Sequence, residues 1–134
     1  LIAIQAMVMN DYPLRNEPGF ESSTISELDK YNTYVEHQNF ELAIIKMLEN
    51  TPEDFLVFKD IIEKYFYDNF TLYRKKLLFL NDKKKTDSLV KAPCYSCTIH
   101  LKYPYLLEKM EDLYEKISEK FQKNIFTIFF IKKK

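Results

Sequence analysis

Cys94, Cys97 and His100, in the stretch CYSCTIH, place the chain's two thiols and one of its two histidines within seven positions. That spacing suits half of a zinc site. Structural zinc takes four ligands, usually from paired clusters, and the sequence holds no second cluster; only His37, far upstream, is left to complete a set. A redox C-x-x-C opens a helix beside a strand–helix pattern, which is missing around Cys94. Two ordinary thiols beside a loop are therefore expected, with no metal and no other cofactor. His37 falls off the apolar stripe of its segment and is expected in solvent, and neither histidine has the carboxylate neighbour of a catalytic triad.

The remaining chemistry is narrowed by composition. Gly19 is the only glycine in 134 residues, so no glycine-rich phosphate loop exists and a many-stranded sheet has little support. Twenty basic residues balance twenty acidic ones, and no net field recruits nucleic acid or membrane. Lys83, Lys84 and Lys85 are a short basic run without interleaved aromatics, best read as solvated linker. No stretch approaches the ~18 uninterrupted apolar residues of a membrane span. Two cysteines three apart form no disulfide framework, so a reducing, cytoplasmic or nuclear compartment is expected.

Sustained helical spacing makes the fold class mainly α. The spacing predicts helices at about 1–10, 28–50, 53–80 and 104–130, with no substantial sheet. Ser26 or Asp29 would cap the second, whose inner face is Tyr31, Val35, Leu42, Ile45 and Leu48. In TPEDF, Thr51 reads as an N-cap, Pro52 as the first helical residue, and Glu53 and Asp54 as acids favoured by the helix dipole. The next stripe is Phe55, Phe58, Ile62, Tyr65, Phe66, Tyr73, Leu77 and Leu80, with a break at YDNF considered. Residues 83–103 read as a linker. Pro104 opens a last amphipathic helix striped by Leu106, Met110, Leu113, Ile117, Phe121, Ile125 and Ile128. The chain thus divides as 1–82, linker 83–103 and helix 104–134.

LIAIQAMVMN is apolar on several sides and reads as a helix from inside something longer. DYPLRNEPGFESSTIS then has turn chemistry: Pro18 presets φ for the second position of a turn and Gly19 accepts positive φ at the third. The order Ile2-Ala3-Ile4-Gln5, Pro13, Asn16-Glu17-Pro18-Gly19-Phe20-Glu21, then Tyr31-Asn32-Thr33-Tyr34-Val35, Met47-Leu48, Pro52 with Phe55, and Tyr65-Phe66 resembles a known segment. It is similar to the region after the active site of ubiquitin-conjugating enzymes, in the large subgroup that includes apollon. The match covers residues 1–80 and fades beyond. The loop before Tyr31 is shorter than in the large members, Thr51-Pro52 stands where they have Pro-Pro, and Tyr65-Phe66 where they have His-Phe.

The resemblance implies the C-terminal helical portion of an α+β ubiquitin-conjugating fold, with a helical extension after it. It implies ubiquitin transfer through a cysteine thioester, with ubiquitin, ubiquitin-activating enzyme, and a ligase or substrate protein as partners. The thioester cysteine of the family lies upstream of the motif matched by Ile2–Gln5; Cys94 and Cys97 do not match it, so no catalytic residue is assigned in this chain. The same resemblance puts Ile2, Ala3, Ala6 and Asn10 on the face that meets ubiquitin, and gives Pro18, Gly19 and Phe20 the turn into the C-terminal helices. A catalytically inactive helper of the same fold, or a helical interaction module, is the alternative.

Overall fold

The structure, a computed structural model, describes residues 10–83 and 88–131, the last eight by backbone alone. It is mainly helical, with one two-stranded sheet. Two compact units form, one from Leu1–Asn39 with Asp87–Leu101 and the other from Phe40–Thr86 with Lys102–Lys134. The expected helix at 1–10 lies outside the described residues, apart from Asn10.

In the first unit, Pro13–Asn16 makes a 3-10 turn that buries Leu14. Helix α1 (Ile25–Gln38) comes next. Its cap is Thr24, not the expected Ser26 or Asp29. The Glu27 N–H donates to Thr24 Oγ1 at 3.4 Å, and Thr24 N–H donates to Glu27 Oε2 at 2.8 Å. This reciprocal capping box satisfies two otherwise orphaned N–H groups, which a lone Ser26 or Asp29 would not. Thr24 N–H and the Thr24 hydroxyl, both donating to the Glu27 carboxylate, hold it below its ordinary pKa.

The stretch expected as linker contains a hairpin. Strands β1 (Leu89–Lys91) and β2 (Thr98–His100) pair antiparallel, with Val90 opposite Ile99. Ala92 N–H donates to Cys97 O at 2.8 Å just inside the loop. Each strand has only one half-buried residue between two exposed ones, too brief an alternation to stand out from polar surroundings.

After α1 the helix widens into a π-helical stretch, Asn39–Lys46, and closes with an α turn at Met47–Glu49. The buried positions here are Leu28, Thr33, His37, Phe40, Ile45 and Leu48. Leu42, expected inside, is exposed, and His37, expected in solvent, is 1% accessible. Apolar periodicity misses a buried polar side chain, and the wide turns shift the register of the residues beyond them. Thr51 does not cap the next helix. Its hydroxyl turns back and donates to Met47 O at 2.9 Å, closing the helix behind it.

The second unit is built on α2 (Lys59–Lys83), entered through a 3-10 turn at Glu53–Phe58, and α3 (Tyr103–Ile131). No break occurs at YDNF. Asn69 Nδ2 donates to Tyr65 O at 2.9 Å and Lys64 pairs with Asp68 one turn on, so the polar residues reinforce the helix. The two helices pack antiparallel: Arg74 Nε meets Glu111 at 2.7 Å, and the Phe70 and Tyr114 rings stack at 3.8 Å. Further along, Tyr67 stacks on Tyr114 and meets Phe121 edge-on, each at 5.3 Å. Phe66, Leu77 and Leu80 of α2, with Leu106, Met110, Leu113 and Ile117 of α3, are buried.

Glu63 is the charged exception in this core, at 7% exposure. Lys120 Nζ lies 2.5 Å from its carboxylate and 2.9 Å from that of Asp60. Lys120→Met would leave Glu63 without its cation. Since the lysine is itself 43% exposed, water and salt screen the pair, and the expected loss is about 1–2 kcal/mol rather than the full cost of orphaning a buried charge. The hydrogen bonds that Lys120 donates to Glu63 and Asp60 raise its pKa above the ordinary 10.5. The stabilisation is therefore complete below the unfolded-state value and is lost as pH rises through the folded one. Urea melts of the two proteins should differ at neutral pH and converge in strong alkali.

Candidate functional site

Of the four residues expected to meet ubiquitin, Ile2, Ala3 and Ala6 lie outside the described residues. Asn10 is exposed, and its side chain serves the loop: Tyr12 N–H donates to Asn10 Oδ1 at 2.8 Å, and Asn10 Nδ2 reaches Asn16 Oδ1 at 3.4 Å. From α1, Asn32 Nδ2 donates to the Asp11 carbonyl at 2.9 Å. The second residue of the Tyr31-Asn32 pair thus ties the start of the loop to the helix across 21 positions. Spacing gave no hint of this contact.

The loop then turns at Glu17–Phe20. Phe20 N–H donates to Glu17 O at 3.0 Å, and Gly19 sits at φ +87°. Proline second and positive φ third is the pattern of a type II turn. Gly19 N–H donates to Glu21 Oε1 at 3.2 Å, and backbone N–H groups hold the Glu21 carboxyl below its ordinary pKa. Phe20 leaves the turn inward. It packs, with Tyr31, against a buried cluster of Leu14, Leu28 and Cys94.

Cys94 brings the hairpin into that cluster. Burial pushes its thiol pKa up. Next to it, Tyr95 O–H donates to Glu17 Oε2 at 2.6 Å, which raises the tyrosine pKa because ionisation would remove the donor. Turn, helix and hairpin therefore converge on Glu17, Phe20, Tyr31 and Cys94. His100 is exposed at the strand end, and among the described residues no three His, Cys, Asp or Glu side chains converge as metal ligands.

The second unit carries a different feature, an apolar groove of about 270 Å³ lined by Ala43, Ile44, Leu48, Ile61, Ile62, Tyr65, Phe66 and Tyr73. Phe55, Phe58 and Tyr65, expected on an inner face, are about half exposed or more, and Val57 is 79% exposed. Within the stripe they belong to, only the segment facing α3 is covered. With no carboxylate, histidine, lysine or thiol in its lining, the groove suits apolar contact rather than proton transfer.

No family model matches this chain, and no curated protein matches it. Among the described residues no helix is long and apolar enough to cross a membrane.

The turn generates a clean expectation. A Cβ added at Gly19 would meet nothing within 4 Å, so Gly19→Ala carries no steric clash and only the cost of positive φ, about 1 kcal/mol. Gly19→Asn should recover part of it, because asparagine tolerates that region. Chemical denaturation of the three proteins measures the order directly.

Proposed function

We propose that this chain is the part of a ubiquitin-conjugating protein that lies after the thioester cysteine. The observation that carries this is the behaviour of the motif residues themselves. Gly19 supplies the turn, Phe20 and Tyr31 meet on one buried cluster, and Asn32 holds the Asp11 carbonyl. Residues that match the family pattern in order also meet in the fold, and this supports the reading.

In this proposal the segment 1–10, expected as a helix, presents Ile2, Ala3, Ala6 and Asn10 to thioester-linked ubiquitin, received from the activating enzyme in the cytoplasm or nucleus and passed on with a ligase to a substrate lysine. Two alanines permit close approach, and Ile2 offers an apolar contact. Orienting the thioester accelerates transfer by placing the reacting atoms, without chemistry from this face. Two alternatives keep the fold or the helices without the transfer. A catalytically inactive helper is one; a helical interaction module is the other, favoured by the apolar groove beside Ile61 and Tyr65.

The test uses the chain extended by its own upstream residues, incubated with ubiquitin, activating enzyme and ATP. A reductant-labile ubiquitin adduct is expected. Ala6→Arg should leave loading nearly unchanged and slow discharge to free lysine about tenfold, the scale of a central contact worth 1–2 kcal/mol. Absence of any adduct from the extended protein rejects the conjugating reading. Loading and discharge both at the unmodified rate reject the assigned face.

A further inference from the structure

The loop of the hairpin holds two thiols against one ridge of α1. Cys94 is 4% exposed and packs on Leu14 and Leu28, whereas Cys97 is half-buried. Between them Tyr95 and Ser96 make the turn, at φ 58° and 51°. A β-turn brings its first and fourth α-carbons to within about 7 Å, and a disulfide spans about 4.4–6.8 Å between α-carbons. The direction of the sulfurs is given by what they meet. Cys94 packs beside Tyr31; the Cys97 thiol donates to Tyr95 O at 3.5 Å and neighbours Tyr34, which stands one helical turn from Tyr31 on the same face. Both sulfurs therefore lie on the helix side of the turn.

We propose that Cys94 and Cys97 form a dithiol–disulfide pair that closes within the folded hairpin. Cys97, the accessible thiol, attacks a low-molecular-weight disulfide such as oxidised glutathione and releases one thiolate. Cys94 then loses its proton and attacks Cys97 Sγ in the mixed disulfide, releasing the second. Two protein S–H bonds become one S–S bond, and one glutathione disulfide becomes two thiols. Burial of Cys94, which keeps its thiol protonated, makes it the resolving rather than the attacking sulfur.

The experiment equilibrates the full chain in oxidised and reduced glutathione, quenches with acid and reads intact mass. One intramolecular disulfide is expected, seen as the loss of two hydrogens in a monomer. Cys94→Ser should stop at a glutathione adduct on Cys97. Repeating the equilibrium in urea separates a property of the fold from that of any C-x-x-C segment: the folded chain should favour the disulfide about tenfold over the unfolded one. Equal constants, a persistent mixed disulfide in the unmodified protein, or only intermolecular dimers would each overturn the proposal.

Discussion

Everything in the first unit hangs on burying Leu14, Leu28 and Cys94 together. These residues come from a 3-10 turn, a helix and a hairpin loop, and no two are neighbours in the chain. A buried leucine contributes about 1.5–3 kcal/mol when removed from water, and even with Ala92 and Leu101, also buried in this unit, the core is small. Directional contacts must then supply the uniqueness that a larger core would bring through packing. Asn32 on the Asp11 carbonyl and Tyr95 on Glu17 are placed for that purpose, one tying the loop to the helix and the other to the hairpin.

The second unit solves a different problem. Helix α2 carries more apolar surface than one partner covers. Phe66, Leu77 and Leu80 are buried, while Ile61, Tyr65 and Leu72 remain exposed on other sides. Aromatic stacking between α2 and α3 fixes their register, because Tyr114 meets both Tyr67 and Phe70 and a one-residue slip would break both contacts. Glu63 and Lys120 fix it again at the far end. Charge in that position gains little stability over a matched apolar pair, but it penalises every alignment in which Glu63 lacks its lysine. The uncovered apolar row is what leaves the groove open.

Helix class and the Pro18-Gly19 turn were legible in the sequence because each rests on a local rule. Sustained spacing of three and four marked α2 and α3, and Pro-Gly has few conformations to choose from. The failures are equally specific. Thr24 and Glu27 form a capping box that the T-x-x-E pattern announces, yet Ser26 stands nearer the apolar stripe and competes for the role on spacing alone. Thr51 has the composition of a cap and uses its hydroxyl on the preceding turn instead. His37 and Glu63 are buried polar groups, invisible to apolar periodicity. Glu63 was unreadable because its partner Lys120 lies 57 positions away. The contacts of the candidate site are long-range as well: Glu17 meets Tyr95 across 78 positions.

A chain with one glycine must choose where to spend it. Three described residues, Gly19, Tyr95 and Ser96, take positive φ. At position 19 the space beyond the backbone is empty, so a side chain would bring strain and no contact in return. At position 95 the balance is reversed. Left-handed backbone costs a non-glycine residue about 1–2 kcal/mol, but the Tyr95 hydroxyl reaches Glu17 at 2.6 Å and joins the hairpin to the same turn that Gly19 forms. A glycine at 95 would relax the backbone and cut that link. The hairpin loop is thus strained where its side chain binds the NEPGFE turn, and that turn is relaxed where no side chain has anything to bind. The two loops form one device, with the conformational freedom placed in one and the anchoring contact in the other.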